Sequence, residues 1–392
     1  MKNQYDVILV GGGVMGCATA YYLLKADRSL KVAIIEKDGT YARSSTTLSD
    51  GNIRVQFNVK QNILISQYGL EMLARFAEDM AVGDDLPDIA FRQQGDLFIF
   101  DENGRYAAEQ GLKLQNSLGC GIELLTPAEI ENRYPLLNME NCAGGTFGRQ
   151  EGTMDPHAVL QGFKNKAIAL GAKFIEAEVA QVLVTTTAVA GIRLAAGDIL
   201  HAKIVVNCAG AWVPQLASKI GIELPIEPVK RQVFVLETAV TPPTPLPLTV
   251  FPSGLYIIQE HGSHFLCAKS MQNDPVGFDD FSWHQQKFMD DIWPELVEYV
   301  PAFDRLKVVS GWAGLYAVNT FDGNAILGEW PGLSGLYLIG GFSGHGFQQC
   351  FAVGRYISEL ILDNTPTLDL SIFSPQRILD NSPVYENQHK LV

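Results

Sequence analysis

The 392-residue chain has no cysteine pair at CxxC spacing; its six cysteines (Cys17, Cys120, Cys142, Cys208, Cys267, Cys350) are scattered without a regular interval. That excludes a disulfide framework or zinc knuckle and leaves reduced, mostly buried thiols as the reading. Basic residues are in deficit: 29 Lys and Arg against 43 Asp and Glu give a net charge of −14, with no broad basic footprint for nucleic acid. His261 and His264 make too weak a spacing for a metal signature, and no metal is expected. The opening MKNQYDV enters a strand at once and leaves no room for a signal or transit peptide, so the cytoplasm is the expected compartment. One uncharged run, Val7 to Leu24, has the eighteen residues of a short membrane span. Three consecutive glycines in its first half argue against one, and no transmembrane segment is expected.

What is present in that run is a strand, a tight turn and a helix. In the spacing Gly11-x-Gly13-x-x-Gly16 each glycine serves a different need. Gly11 makes the turn, Gly13 admits the close approach of a pyrophosphate, and Gly16 lets the helix pack on the strand. Amides at the helix start, beginning with Val14 and Met15, then face the phosphates. A second apolar strand ends on Glu36, 20 residues beyond Gly16, where a carboxylate accepts from a ribose hydroxyl and repels a 2′-phosphate. An adenine dinucleotide other than NADP is the ligand this pattern predicts.

Length suggests two or three structural units, and 47% hydrophobic residues suffice to build them. A polar loop follows Glu36 and Lys37, with Ser44, Ser45, Thr46 and Thr47 in a row and then Gly51; its place after the ribose acid puts it near the cofactor. Residues 61–80 have helical spacing, and strand texture begins at Ile89 with a turn at Gln94-Gly95. Thr126-Pro127 and Asp155-Pro156 each read as cap and first residue of a helix, the second running to Gly171. The strand KFIEAEV contains Val179, a candidate backbone contact for adenine. Lys203–Asn207 reads as a buried strand halted at Cys208-Ala209-Gly210-Ala211-Trp212, a second glycine stop at the end of a sheet where ligands collect. Strands then dominate, with one helix near 283–299. A last strand meets Gly340, Gly341, Gly344 and Gly346 before a helix whose first amides could stabilise an anion forming on a ring system. The nucleotide-binding pieces are therefore spread over the N-terminus, middle and C-terminus, with strand-rich segments between them.

Laid out this way, the chain resembles the D-amino acid oxidase superfamily of FAD enzymes over nearly its whole length. DVILVGGGVMGCATAYYL with Glu36, VVNCAGAW, the Asp322-Gly323 pair and IGGFSGHGF stand in that family's order; GFSGHGF is closest to its sarcosine oxidase branch, and STTLSDGNIRVQF to the branch of archaeal proline dehydrogenase β-subunits. The resemblance implies an α/β plus α+β architecture. A discontinuous Rossmann-like FAD-binding domain (1–85, 150–222 and 322–380) carries an inserted substrate domain (86–149 and 223–321) on a mixed, largely antiparallel sheet. It implies oxidation of the C–N bond of a small amine or amino acid, passing electrons to oxygen or to a quinone or other carrier, and a possible partner subunit. By position, Gly11 to Gly16, Glu36, the 44–47 loop, Val179, Cys208 to Gly210, Trp212, Gly314, Gly341, Phe342, Ser343, Gly344, His345, Gly346 and Phe347 would carry FAD. Members that tie the flavin covalently use a cysteine before the Asp-Gly pair or a histidine in the loop after the ribose acid. Here GWAGLYAV has no cysteine and no histidine lies between Glu36 and Asn58, so dissociable FAD is expected. The family's sarcosine oxidases place a substrate-binding lysine just after GFSGHGF, where this chain has Gln348; Lys269 lies near their oxygen-activating lysine.

The chemistry so implied asks the protein to orient a neutral amine for hydride loss to flavin N5 rather than for much acid–base machinery. An amino acid substrate adds a buried carboxylate that needs a cation, preferably arginine. Arg54 is the candidate, with a structural role the competing reading; Arg231 reads as structural. Tyr256 and Tyr316 fall in segments expected to roof and flank the ring, where each either bonds a carboxylate or packs the core. His345, inside GFSGHGF, is a flavin contact and a candidate for proton transfer. Oxidation of a 2-hydroxy acid, which would need such a base, and a non-catalytic FAD-binding assembly protein remain the alternatives.

Overall fold

The uncharged run folds as a strand, Gln4–Val10, a three-glycine turn and a 13-residue helix, Val14–Ala26. The computed structural model describes residues 3–386, and among them no helix is long and apolar enough to cross a membrane.

The first strand lies inside a sheet ordered Ile326–Glu329, Leu336–Gly340, Ile199–Asn207, Gln4–Val10, Val32–Glu36, Lys173–Glu176. All neighbours pair in parallel except the first two, and the chain leaves the central strand in opposite directions to reach its two partners. That reversal opens a crevice at the strands' C-terminal ends, where Val10 sits opposite both Ile35 and Asn207. Parallel strands buried on both faces read as apolar runs, which is why VILV, VAIIE and IVVN carry no alternation.

Helix Val14–Ala26 covers one face together with Pro156–Leu170 and Gly346–Ile361. Where these helices meet, Tyr21, Phe76, Phe163 and Phe351 are fully buried, with Phe163 and Phe351 ring centroids 5.6 Å apart. Each such ring stabilises the fold by roughly 1.5–3 kcal/mol through burial alone.

The second sheet is mixed and mostly antiparallel, ordered Leu306–Asn319, Ile226–Thr238, His264–Lys269, Leu255–His261, Leu248–Val250, Asp96–Phe100, Gly144–Gly148, Glu123–Leu125. Its longest pairing runs from Ile226 opposite Asn319 to Thr238 opposite Leu306. One face packs on Leu296, Val300 and Phe303, and the other turns toward the crevice of the first sheet.

Three expected elements differ in detail. KFIEAEV is two strands: Lys173–Glu176 joins the first sheet, then the chain bends at Ala177, whose amide bonds Glu36, and Val179 opens the next strand. The helix near 283–299 is broken into Gln285–Lys287, a π-turn Phe288–Ile292 and Trp293–Tyr299, because Pro294 has no amide to continue the ladder. The 61–80 segment likewise breaks after Leu73, and Phe76–Met80 forms a separate turn of helix. Both proline caps form as expected, Thr126 with a full capping box and Asp155 accepting from His157 and Ala158.

Candidate active site

A cavity of about 610 Å³ fills the crevice between the two sheets. At one end is the glycine turn. Gly11 holds φ +112, and a Cβ on Gly16 would overlap the Gly11 carbonyl oxygen, so helix and strand approach as only glycine allows. The helix start has no side-chain cap at Gly13; Val14 N donates to Thr46 Oγ1 at 3.2 Å. Glu36 braces the same turn, its Oε2 accepting from Gly12 N at 2.7 Å and its Oε1 from Asp38 N at 3.0 Å.

Most residues singled out from the sequence line this cavity: Gly11, Gly13, Val14, Met15, Glu36, Lys37, Ser44, Ser45 and Thr46 on the N-terminal side, and Val179 and Cys208, Ala209, Gly210 and Trp212 on the middle segment. Gly314, Tyr256 and Tyr316 contribute from the second sheet, and Phe342, Gly344, Gly346 and Phe347 from the closing turn. Lys37 Nζ stands 3.5 Å from the centre of the Trp212 ring, and Ser45 Oγ ties its loop to the second sheet through Leu315 O at 2.7 Å.

Others shape the cavity without lining it. Gly16 lies beneath the turn, Thr47 Oγ1 donates to Tyr41 O at 2.6 Å, Gly51 (φ +76) presses on the Met154 carbonyl, and Gly341 (φ +72) passes against Asn319. Ser343 and His345 face a second, smaller space.

That space, about 80 Å³, continues the large cavity at its glycine-rich C-terminal end: Ser49, Asp50, Tyr256, Tyr316, Gly344 and Phe347 line both. Arg54 forms its wall. Its guanidinium lies 4.4 Å from the Phe57 ring centre and 4.8 Å from that of Phe98, with Nη1 donating to Gln56 O at 2.9 Å and Nη2 3.1 Å from His345 Nε2. Gln348 Oε1 accepts from Arg54 N at 2.8 Å, so this glutamine fixes the backbone that carries the arginine. Tyr256 and Asp50 line the same junction, and burial pushes the Tyr316 hydroxyl up to about 12 and that of Tyr256 well above its ordinary value, so both tyrosines stay protonated.

Behind Arg54 lie three carboxylates that sequence reasoning passed over. Glu151 is fully buried and accepts from Val55 N at 2.6 Å, Gln56 N at 3.2 Å and Gln56 Nε2 at 2.6 Å. Asp96, also fully buried, takes Asn52 Nδ2 at 2.8 Å, and Glu386 accepts from Asn58 N and Val59 N at 2.6 and 3.1 Å. Burial pushes all three up, to about 7 for Glu151, while Arg54 holds them down. They come from segments 96, 151 and 386, and no local pattern in the sequence joins them. Asp50 was within reach of sequence reading, since it adjoins Gly51 in the loop already assigned to the cofactor side.

Arg231 pairs with Asp274, lies 5.5 Å from the centre of the Tyr316 ring and lines the large cavity, as does Lys269, which pairs with Glu295. His261 and His264 face each other across a hairpin, rings stacked at 4.8 Å. Among the described residues no group of three His, Cys, Asp or Glu side chains could hold a metal. The six cysteines are unpaired and five are buried.

The donor set suits a dinucleotide: a glycine-rich helix start for phosphates, a carboxylate at the end of the second strand for a diol, and a long slot roofed by a sheet. Comparison with known proteins agrees. Over 95% of its length the chain is 36% identical to the FAD-dependent oxidoreductase domain-containing protein 1 of Bos taurus, covering 84% of it. It is 27% identical to the sarcosine oxidase subunit beta of Rhizobium meliloti, with 96% of this chain and 89% of that one covered. The crystal structure of L-proline dehydrogenase from P. horikoshii superposes with a TM-score of 0.85 at 25% identity, across 97% of this chain and 100% of that one. The family model of the DAO FAD-dependent oxidoreductases matches residues 6–360, and with the crevice, the glycine turns and the roofing sheet in place the chain belongs to that family.

Proposed function

We propose that this FAD-dependent oxidoreductase oxidises the C–N bond of a small amine bearing a carboxylate. The observation that carries the reading is Arg54: an arginine 7% exposed, its guanidinium held between two aromatic rings, walling a small chamber that opens onto the closing glycine turn. A buried cation of fixed geometry is what a carboxylate removed from water requires.

The segments around the first sheet, 1–85, 150–222 and 322–380, would form the cofactor unit, and 86–149 with 223–321 the substrate unit. Gly11, Gly13, Val14 and Thr46 would hold the pyrophosphate, Glu36 the ribose, Val179 the adenine, and Gly344 to Phe347 the ring. FAD, when bound, supplies the hydride acceptor for the C–N oxidation. Arg54 would bind the carboxylate, Tyr256 and Tyr316 would donate as neutral hydroxyls, and the Phe98, Leu248 and Val250 side chains would exclude water. FAD would be held without a covalent bond, because the family's tethering positions carry neither cysteine nor histidine.

A 2-hydroxy acid would need a base at the site. His345 is poorly placed for that, since its Nε2 lone pair already faces the donating Arg54. The relative named as a sarcosine oxidase subunit supports a partner chain.

The test is anaerobic flavin bleaching across a panel of amines, amino acids and 2-hydroxy acids. Bleaching by amino acids that is lost in Arg54→Met at equal ligand concentration supports the reading. Bleaching by 2-hydroxy acids alone, or by nothing in the panel, would overturn it.

A further inference from the structure

Asp50 is the acid at the junction of the two cavities, lining both the large slot and the chamber walled by Arg54. It sits four residues before Arg54 in one loop, and the loop is fixed just after it: Gly51 holds φ +76 against the Met154 carbonyl, and Met154 N bonds Gly51 O at 2.9 Å. From the facing sheet Tyr256 lines the same junction, near enough for its hydroxyl and the Asp50 carboxyl to shift each other's titration. The groups that favour its charge, Tyr256 and the backbone amides at Asn52 and Asp50, are all neutral. Among the described residues Asp50 makes no ion pair, although 13 such pairs are formed elsewhere. A carboxyl so placed, with its pKa raised by burial and held down by the bonds it accepts, is poised to receive a cation rather than to support the fold.

We infer that Asp50 receives the amine nitrogen of the substrate while Arg54 takes its carboxylate, which makes the chamber a site for a small α-amino acid zwitterion. The inference rests on the reading that Arg54 binds a carboxylate, and it adds the second charge. A simple amine would bring Arg54 no carboxylate, and a 2-hydroxy acid would leave Asp50 facing a neutral hydroxyl; each forgoes one of the two charge-assisted contacts the site offers. The chamber's volume, about 80 Å³, restricts the side chain to a small one unless it extends into the larger slot.

Three probes separate the charges without turnover. 2-Aminoisobutyrate, 2-hydroxyisobutyrate and pivalate share a carboxylate on an α-carbon that has no hydrogen to lose, and differ in presenting an ammonium, a hydroxyl or a methyl. Each is titrated against the FAD-loaded protein, and the perturbation of the visible flavin spectrum gives its Kd. The protein is expected to bind 2-aminoisobutyrate at least about tenfold more tightly than the other two. In Asp50→Asn that preference should fall to about unity while pivalate binding shifts by less than about threefold. Asp50→Ser provides the same comparison should the asparagine variant fail to retain FAD. Preference for the amine that survives both substitutions would overturn the role of Asp50 and leave the amino acid reading standing. Preference for pivalate or 2-hydroxyisobutyrate in the unaltered protein would overturn the zwitterion site. Binding of none of the three would sink the carboxylate reading and this inference with it.

Discussion

Arg54 Nη2 lies 3.1 Å from His345 Nε2, and because a guanidinium only donates, the imidazole nitrogen must be the acceptor. The imidazole is set edge-on to Phe57, with ring centres 5.1 Å apart. The pair joins the loop after Glu36 to the start of the closing helix. It places a cation in the wall of the smaller chamber.

Removing that cation should act twice. Arg54→Met keeps the stem between Phe57 and Phe98 but leaves a substrate carboxylate without its partner, so KM for an amino acid should rise about a hundredfold. It also strips compensation from Glu151, Asp96 and Glu386, a change expected to cost about 3–5 kcal/mol of stability at about pH 8. The loss should shrink at about pH 6, where Glu151 carries a proton. Equal destabilisation at both pH values, read from denaturant melts, would contradict this account of the buried charges.

Glu151 makes a separate prediction for the unaltered protein. Burial lifts its pKa from the ordinary 4.5 to about 7, so between those values the folded state binds a proton that the unfolded state has released. Stability therefore falls as pH rises from about 4.5 to about 7 and levels off above. Glu151→Gln, which keeps an oxygen for the Val55 and Gln56 amides, should flatten that slope. Melting temperature followed across the window in both proteins checks it.

The closing turn depends on Gly344. Its φ is +100, and a Cβ there would overlap the Tyr316 ring. Gly344→Ala should displace that ring into the junction of the cavities and weaken ligand binding at least about tenfold, while the buried helices keep the protein folded. A variant with unchanged ligand affinity would show that the ring has room to move.

Much of this arrangement was legible in the sequence because local rules set it. Gly11 to Gly16, Glu36, Thr126 and Asp155 each act through neighbours within a few residues or at a fixed spacing, and the parallel strands show as uninterrupted apolar runs. The polar chamber was legible only in part. Arg54, Tyr256, Tyr316 and His345 could be named from their segments, but the carboxylates behind Arg54, at Asp96, Glu151 and Glu386, reach it from distant parts of the chain and meet it only through the fold. Pro294 was visible all along; that it would turn a helix into a π-turn depended on the packing of Phe288 and Ile292, both fully buried.

Acid treatment tests the attachment of the cofactor. With no cysteine in the strand before Asp322 and no histidine in the loop after Glu36, FAD should pass into the supernatant when the protein is precipitated with acid, leaving a colourless pellet. Colour retained in the pellet would place a covalent bond at a residue outside the family's usual positions.

The pairing of Lys269 makes a prediction about the electron acceptor. Its ammonium lines the large cavity but is paired with Glu295, which also bonds Ser253, so its charge is largely neutralised toward the slot. One-electron transfer from a reduced ring to oxygen builds negative charge that a nearby unpaired cation would stabilise. A slow reaction with oxygen is therefore expected. Glu295→Gln should speed that reaction about three- to tenfold by releasing the lysine from its carboxylate, with turnover on an artificial dye unchanged. Lys269→Met, by contrast, should slow the oxygen reaction further, because it leaves the Glu295 carboxylate unbalanced beside the slot. Stopped-flow reoxidation of the reduced protein measures both rates, and a Glu295→Gln variant that reoxidises no faster would place the control of oxygen reactivity elsewhere in the cavity.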